Sequence, residues 1–333
     1  MPEFRRDPVI GRWVIIDSDR RFNKSDPSET ESYPKDHSAC PFCPGNEYMT
    51  RPEILAYSKI SGRMPNSKGW TLRVIPNNQP VLAIEGNLKR RGEGMYDKME
   101  GIGAHEIIIE TPEHDIKQDR ITPQYYETIY EAAIARIKDL RNDLRLEYIL
   151  VFKNYGILAN AVFEHPHSQL IAMPIVPKRV REEINGAKEY FSYKERCVFC
   201  DMISQELSSE IRIVDENEFF TAFCPYAARY PFETWILPKN HASDFDTISA
   251  AEISSCARIT KSVFSKISKV LDDSAFSALI HMGPLKEKNM PHYHWHIEII
   301  PKLIKTAGFE WGTGLYVNPV SPEDAAKYLR ESE

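Results

Sequence analysis

The sequence predicts an α+β protein of two tandem halves, residues 1–178 and 179–333, each an antiparallel sheet with a packed helix, related by internal duplication. Three observations carry this. Chemical markers recur in one order: CPFC at 40–43, His114 and the segment HPHSQ from His165, then CVFC at 197–200, His241 and the segment HYHWH from His292. The spacing recurs too, because His114 to His165 and His241 to His292 are equal intervals, and agreement in order, residue type and spacing marks a duplicated unit. The patterning between markers repeats as well. TPQYYETIYEAAIARIKDLRNDL after His114 and SAAEISSCARITKSVFSKISKVL after His241 both place apolar residues at helical spacing.

Each helix runs into an apolar, β-branched stretch, EYILVFKNYG or AFSALIHMGP, and then into a histidine segment. The earlier strands TLRVIPNN and AHEIIIETP answer to FFTAFCP and ETWILP. Residues 178 to 196, KRVREEINGAKEYFSYKER, read as a helical connection, and residues 20 to 39 as surface loop.

With 333 residues, 42% hydrophobic and 27% charged, the chain suits a globular enzyme, and a net charge of −6 offers no strong attraction to nucleic acid. The start MPEFRRDPVIGRWVIIDSD lacks the apolar core of a signal peptide, and no stretch approaches the roughly 18 apolar residues of a membrane span. The expected place is the cytoplasm, with no membrane partner. In a reducing compartment the six cysteines do not suggest a disulfide framework. Cys224 and Cys256 read as buried apolar residues, whereas Cys40/Cys43 and Cys197/Cys200 form Cys-x-x-Cys pairs.

A Cys-x-x-Cys turn brings two thiolates to one ion, and two histidines complete a tetrahedral shell. The expected sets are Cys40, Cys43, His114 and His165, and Cys197, Cys200, His241 and His292. Closed shells leave no coordination position for substrate, so both zinc ions are expected to be structural. Side chains alternate along a strand, so His165, His167 and Gln169 share one face, and His165 on zinc would hold His167 about 7 Å further along it as an imidazole with no metal of its own.

These segments, with GRWVIIDSDRR, VIPNNQP, NYGILANAVFEHPHSQ and the tail GFEWGTGLYVNPVSPEDAAKYLRE, resemble the galactose-1-phosphate uridylyltransferase branch of the histidine-triad superfamily over nearly the whole chain. The resemblance implies two histidine-triad-like halves in one subunit, a homodimer, and a ping-pong transfer of galactose metabolism. His167 would attack the α-phosphorus of a nucleotide sugar, release a hexose 1-phosphate, and pass the nucleotide to a second hexose 1-phosphate. Gln169 would stabilise phosphate charge by hydrogen bonding without offering a proton, where related hydrolases carry a third histidine. The resemblance further implies Asn77 and Asn78 at the ribose, Asn154 and Arg20 at the phosphates and Glu310 at the hexose hydroxyls; the ordinary alternatives are capping, solvated or exposed loop residues. Ser168 in place of the usual glycine, NAVFE in place of a serine-containing turn, the second cysteine-histidine set and the altered tail resemble the subgroup that includes ADP-glucose phosphorylase. Two rival readings are a hydrolase with His294 as nucleophile, since HYHWH keeps three histidines, and a non-catalytic zinc-stabilised nucleotide-binding protein.

Overall fold

The computed structural model describes residues 1–19, 33, 37–116 and 120–332. The chain opens with a hairpin, β1 (Glu3–Arg6) and β2 (Trp13–Ile16), and continues through β3 (Leu55–Ser58), β4 (Trp70–Pro76), the hairpin β5 (Arg91–Glu93) and β6 (Tyr96–Lys98), and β7 (Ala104–Ile109). Helix α1 (Pro123–Leu140) then leads to β8 (Tyr148–Tyr155) and β9 (His167–Met173), and α2 (Lys178–Lys194) connects to the second half. There α3 (Val198–Ser209), β10 (Ile213–Glu216), β11 (Phe220–Phe223), β12 (Thr234–Pro238), α4 (Ala250–Leu271), β13 (Phe276–His281) and β14 (His296–Pro301) follow, before α5 (Gly308–Thr313), β15 (Tyr316–Asn318) and α6 (Pro322–Arg330).

The two halves do not keep separate sheets. Ten strands form one sheet in the order β10-β11-β12-β14-β13-β8-β9-β7-β4-β3, a palindrome in which β8 answers β13, β9 answers β14, β7 answers β12 and β4 answers β11. The halves meet edge to edge where β8 pairs antiparallel with β13, Lys153 opposite Ala278 and Asn154 opposite Ser277. Joining them this way removes the exposed edge each half would otherwise present. A three-stranded sheet ties the tail to the start, because β15 runs parallel to β2 with Tyr316 opposite Val14.

Helices α1 and α4 form where the sequence pattern places them. Pro123 occupies the first turn of α1, where its missing N–H costs nothing, and a reciprocal Ser249–Glu252 capping box opens α4. Their apolar faces meet over the sheet: Tyr126 stacks on Phe264 at 5.9 Å, and the Tyr130 and Thr260 hydroxyls hydrogen-bond at 2.8 Å. Each such fully buried side chain contributes about 1.5–3 kcal/mol. Cys224 and Cys256 are buried in this core, as the sequence suggests. Ser168 faces the helices, and its neighbours His167 and Gln169 project from the other side of β9. Among the described residues, no helix is long and apolar enough to cross a membrane.

Candidate active site and metal centres

The first metal cluster brings together Cys40, Cys43, His114 and His165, whose ligand atoms lie within 4.8 Å of one another. Cys43 Sγ is 3.1 Å from His114 Nδ1 and 3.6 Å from His165 Nδ1, and Cys40 Sγ is 3.8 Å from His165 Nδ1. Zinc–sulfur and zinc–nitrogen bonds of about 2.3 and 2.1 Å at the tetrahedral angle place sulfur and nitrogen about 3.6 Å apart, so the donors fit one zinc ion. His165 donates from Nε2 to the Thr111 carbonyl at 2.8 Å, which turns Nδ1 to the thiols. Burial lowers His165 to about 4 and raises Cys43 to about 12; the first keeps a ligand nitrogen unprotonated, and a bound cation opposes the second.

The second cluster corrects the sequence reading. It comprises Cys197, Cys200, His241 and His294, and His292 is not in it. Cys200 Sγ lies 3.4 Å from His241 Nδ1 and 3.7 Å from His294 Nδ1, while His294 donates from Nε2 to the Pro238 carbonyl at 2.9 Å and His241 to the Met290 carbonyl at 3.0 Å. The reason is register. Strands β9 and β14 begin at His167 and His296, and each of these rings bonds through Nδ1 to the carbonyl two residues earlier, that of His165 or His294. His294 is therefore the counterpart of His165. The equal intervals aligned HYHWH by its first letter, but the second loop is two residues longer. His292 precedes this register and its ring lies 6.3 Å from that of Phe191.

The same register makes Glu298, not a third histidine, the second half's counterpart of Gln169, and removes His294 as a rival nucleophile because its Nδ1 faces the thiols. His296, the counterpart of His167, is closed in: Trp235 stacks on it at 4.9 Å and His281 at 4.6 Å. Glu183, half-buried, and the buried His281 and His296 form a further cluster of ligand type.

His167 is held differently. Its Nδ1 donates to the His165 carbonyl at 2.8 Å, leaving Nε2 as the ring nitrogen for chemistry. Phe42, from inside CPFC, packs on the ring at 5.4 Å, and Phe163 lies edge-on at 6.2 Å. Burial keeps His167 below the ordinary imidazole range, although its backbone hydrogen bond opposes that, so the ring is neutral and nucleophilic at pH 7. Gln169 is fixed by His105. His105 Nε2 lies 2.8 Å from Gln169 Oε1 and 3.0 Å from Asn77 Nδ2, and the Val81 N–H donates to His105 Nδ1 at 3.3 Å. Gln169 borders the larger cavity beside His167.

Two cavities meet at His167. One, of about 370 Å³, is lined by Phe42, Asn77, Asn78, Phe163, His167 and Gln169 among others. The other, of about 160 Å³, includes Lys153, Asn154, Tyr155, Glu164, His167 and Asp273. Asn77 and Asn78 thus stand on one side of the imidazole and Asn154 on the other. Glu310 lines neither cavity; its carboxylate accepts from the Ala307 N–H at 3.0 Å at the start of α5. Arg20 lies outside the described residues.

Comparison with known proteins accords with this geometry. The family described as galactose-1-phosphate uridyl transferase matches through its N-terminal domain at residues 1–177 and its C-terminal domain at 183–319. The chain belongs to the galactose-1-phosphate uridyl transferase family. It is 38% identical to an ADP-glucose phosphorylase of Arabidopsis thaliana over 339 residues, covering 99% of this chain and 93% of the relative. It is 31% identical to a galactose-1-phosphate uridylyltransferase of Thermotoga maritima, covering 100% and 99%. A crystal structure of an Arabidopsis thaliana ADP-glucose phosphorylase with bound ADP-glucose superposes with a TM-score of 0.84 at 36% identity, covering 99% of both chains. As a member of this family the chain is an enzyme of the nucleotidyltransferase class.

Within this family member, the sequence signalled some site residues and hid others. Phe42 goes unmarked in the motifs above, although its place between two cysteines is a signal for it, and Phe199 repeats it by packing on His296 at 5.3 Å. His105 was hidden in the buried run AHEIII, where nothing distinguishes it from a core residue. Its role appears only from the β7–β9 register, which brings that strand beside Gln169.

Proposed function

We propose that this chain is a hexose-1-phosphate nucleotidylyltransferase working through a nucleotidyl-His167 intermediate, of the UDP-glucose:galactose-1-phosphate uridylyltransferase type. The observation that carries the reading is the His167 ring, tied by Nδ1 to its own backbone and set where two cavities meet. Nε2 attacks the α-phosphorus, the N–P bond forms, and the bond to the hexose 1-phosphate oxygen breaks. The leaving phosphate departs as an anion and needs no proton, which suits Gln169, an amide that donates hydrogen bonds but cannot act as an acid near neutral pH. A second hexose 1-phosphate attacks the same phosphorus and restores the imidazole.

The larger cavity, with Asn77 and Asn78, is the side for the nucleoside, and the smaller, with Asn154, the side for phosphate and hexose. The cysteine-histidine sets, Cys40, Cys43, His114 and His165, and Cys197, Cys200, His241 and His294, would each hold a structural zinc, giving two per chain; zinc fixes the loops that carry its ligands. The division near residue 178 is supported by the start of α2 at Lys178. Free thiols in both clusters support a cytoplasmic setting. A homodimer is supported by the exposed Phe309 and Trp311 on α5 beside Glu310, which stands apart from its own chain's cavities.

A second reading, ADP-glucose phosphorylase, is favoured by the 38% identity to the plant relative of that name. Incubation with UDP-glucose or ADP-glucose labelled at the α-phosphate, followed by hexose 1-phosphate or inorganic phosphate, separates them. The nucleotide sugar that labels the protein gives the base, and the acceptor that discharges the label gives the reaction. An acid-labile, base-stable adduct marks the phosphoramidate; spontaneous discharge into water marks a hydrolase, and no adduct a binding protein.

A further inference from the structure

On the helix side of β9, behind the nucleophile, Glu110 forms a charged pair with Lys153, a residue that also borders the smaller cavity, and the chemistry above assigns the pair no role. Ser168 donates to Glu110 Oε1 at 2.5 Å, Lys153 Nζ pairs with Glu110 Oε2, and the Tyr125 hydroxyl donates to that same oxygen at 3.3 Å. Glu110, Lys153 and Ser168 are all buried. An ion pair in such a place loses hydration that its mutual attraction only partly offsets, and apolar replacements of similar volume are often as stable. Stability alone is therefore a poor account of it.

Its connections give a better one. The Glu110 N–H donates to the Pro166 carbonyl at 3.1 Å, so this residue holds the position before His167 by its main chain and the position after by its side chain. The neighbours of Glu110 complete the hold: Ile109 stands opposite His167 in the ladder, and the Thr111 carbonyl takes the His165 ring. The Nδ1 bond of His167 to the His165 carbonyl is local and moves with the strand. The direction of Nε2 therefore depends on what fixes residues 166 and 168.

We infer that Glu110 is a positioning residue for His167, acting through Pro166 and Ser168, with Lys153 holding its carboxylate so that the other oxygen meets the serine hydroxyl. This rests on His167 being the nucleophile. It also gives Ser168 a reason: with no hydroxyl there, a buried carboxylate oxygen loses its partner.

The test measures, for the parent, Ser168→Gly, Glu110→Gln, and a triple variant Glu110→Met, Lys153→Met and Ser168→Ala, the single-turnover rate of adduct formation, the half-saturating nucleotide-sugar concentration and the melting temperature. The expected result is a rate loss of up to about 10²-fold, the cost of a misplacement of about 1 Å, with half-saturation little changed and the triple variant still melting cooperatively near the parent temperature. Should Glu110→Gln fail to fold because Lys153 is left unpaired, Ser168→Gly decides, because it leaves Lys153 at the edge of the smaller cavity in place. A second arm uses His167→Gly with a nucleoside 5′-phosphoimidazolide, which brings its own imidazole. Adding Glu110→Gln there is expected to cost much less, because no tethered ring remains to aim. Full rates in the folded variants, or an equal loss in the His167→Gly background, overturn the inference. A parent chain that forms no adduct on His167 overturns both this and the reading it rests on; a parent that does, with Glu110 and Ser168 variants matching it, overturns this alone.

Discussion

His165 and His294 are held in the same way. Each donates from Nε2 to a backbone carbonyl, Thr111 at 2.8 Å and Pro238 at 2.9 Å, and turns Nδ1 to a pair of cysteines. Two residues on, His167 and His296 each bond through Nδ1 to the carbonyl two residues earlier, yet one borders two cavities and the other is covered by Trp235. Both halves thus keep the metal-type framework, and in the first the second histidine opens onto cavities.

Replacing His294 with Ala is expected to lower zinc content from about two to about one per chain, whereas His292→Ala keeps both, since its ring lies outside the cluster. Elemental analysis of the two purified variants checks this, and the reverse pattern restores the register that the equal intervals suggested. Chelation is expected to lower the melting temperature along with activity, because structural zinc contributes to folding and Phe42, between the first two cysteines, packs on His167.

Gln169→His restores a titratable group beside the phosphates. Hydrolysis of the intermediate is expected to rise relative to transfer, by less than the about 10²–10⁴-fold that a well-placed acid contributes. Free nucleotide and new nucleotide sugar are measured together; an unchanged ratio with both rates lowered makes Gln169 a general binding group.

His105→Phe removes the imidazole nitrogen that holds Gln169 Oε1. With the amide free to turn over, transfer is expected to fall by about 10-fold, the equivalent of one hydrogen bond of about 1.4 kcal/mol, while zinc content stays at the parent value. Activity equal to the parent removes His105 from the account.

Acid is expected to destabilise the fold early. Burial holds His165 at about 4 and His296 at about 3, while the unfolded chain protonates them near 6.5, so between those values the unfolded state carries more protons. Stability therefore falls as pH drops below about 6.5, by up to about 1.4 kcal/mol per pH unit for each histidine. Glu183 works in the same direction at lower pH: although burial opposes it, the neighbouring His281 brings it down to about 2, so its contribution is present above 4.5 and lost as pH falls towards 2. Melting temperatures at pH 7.5, 6 and 5 check this, and equal values at all three contradict it.

Much of this was legible in the sequence because it lies in periodic or repeated features. The helical spacing of Tyr126, Ile129, Tyr130, Ala133 and Ile137 and the repeated cysteine and histidine markers gave the two halves and the first metal cluster. Joining the halves into one sheet depends on the β8–β13 pairing, to which no local pattern points. The equal intervals visible in the sequence point to His292, whereas the strand start that fixes the register on His294 is not visible there. Glu110 and His105 act across β7 and β9, so only the ladder between those strands reveals them.

Covalent labelling tests the central claim most directly. Parent protein and His167→Ala are incubated with an α-labelled nucleotide sugar and examined by intact mass, with zinc content and melting temperature measured alongside. The account predicts an acid-labile nucleotidyl adduct on the parent, located at residue 167, and none on His167→Ala, whose zinc content and fold match the parent because this imidazole holds no metal. An adduct of the same size and stability on His167→Ala contradicts it.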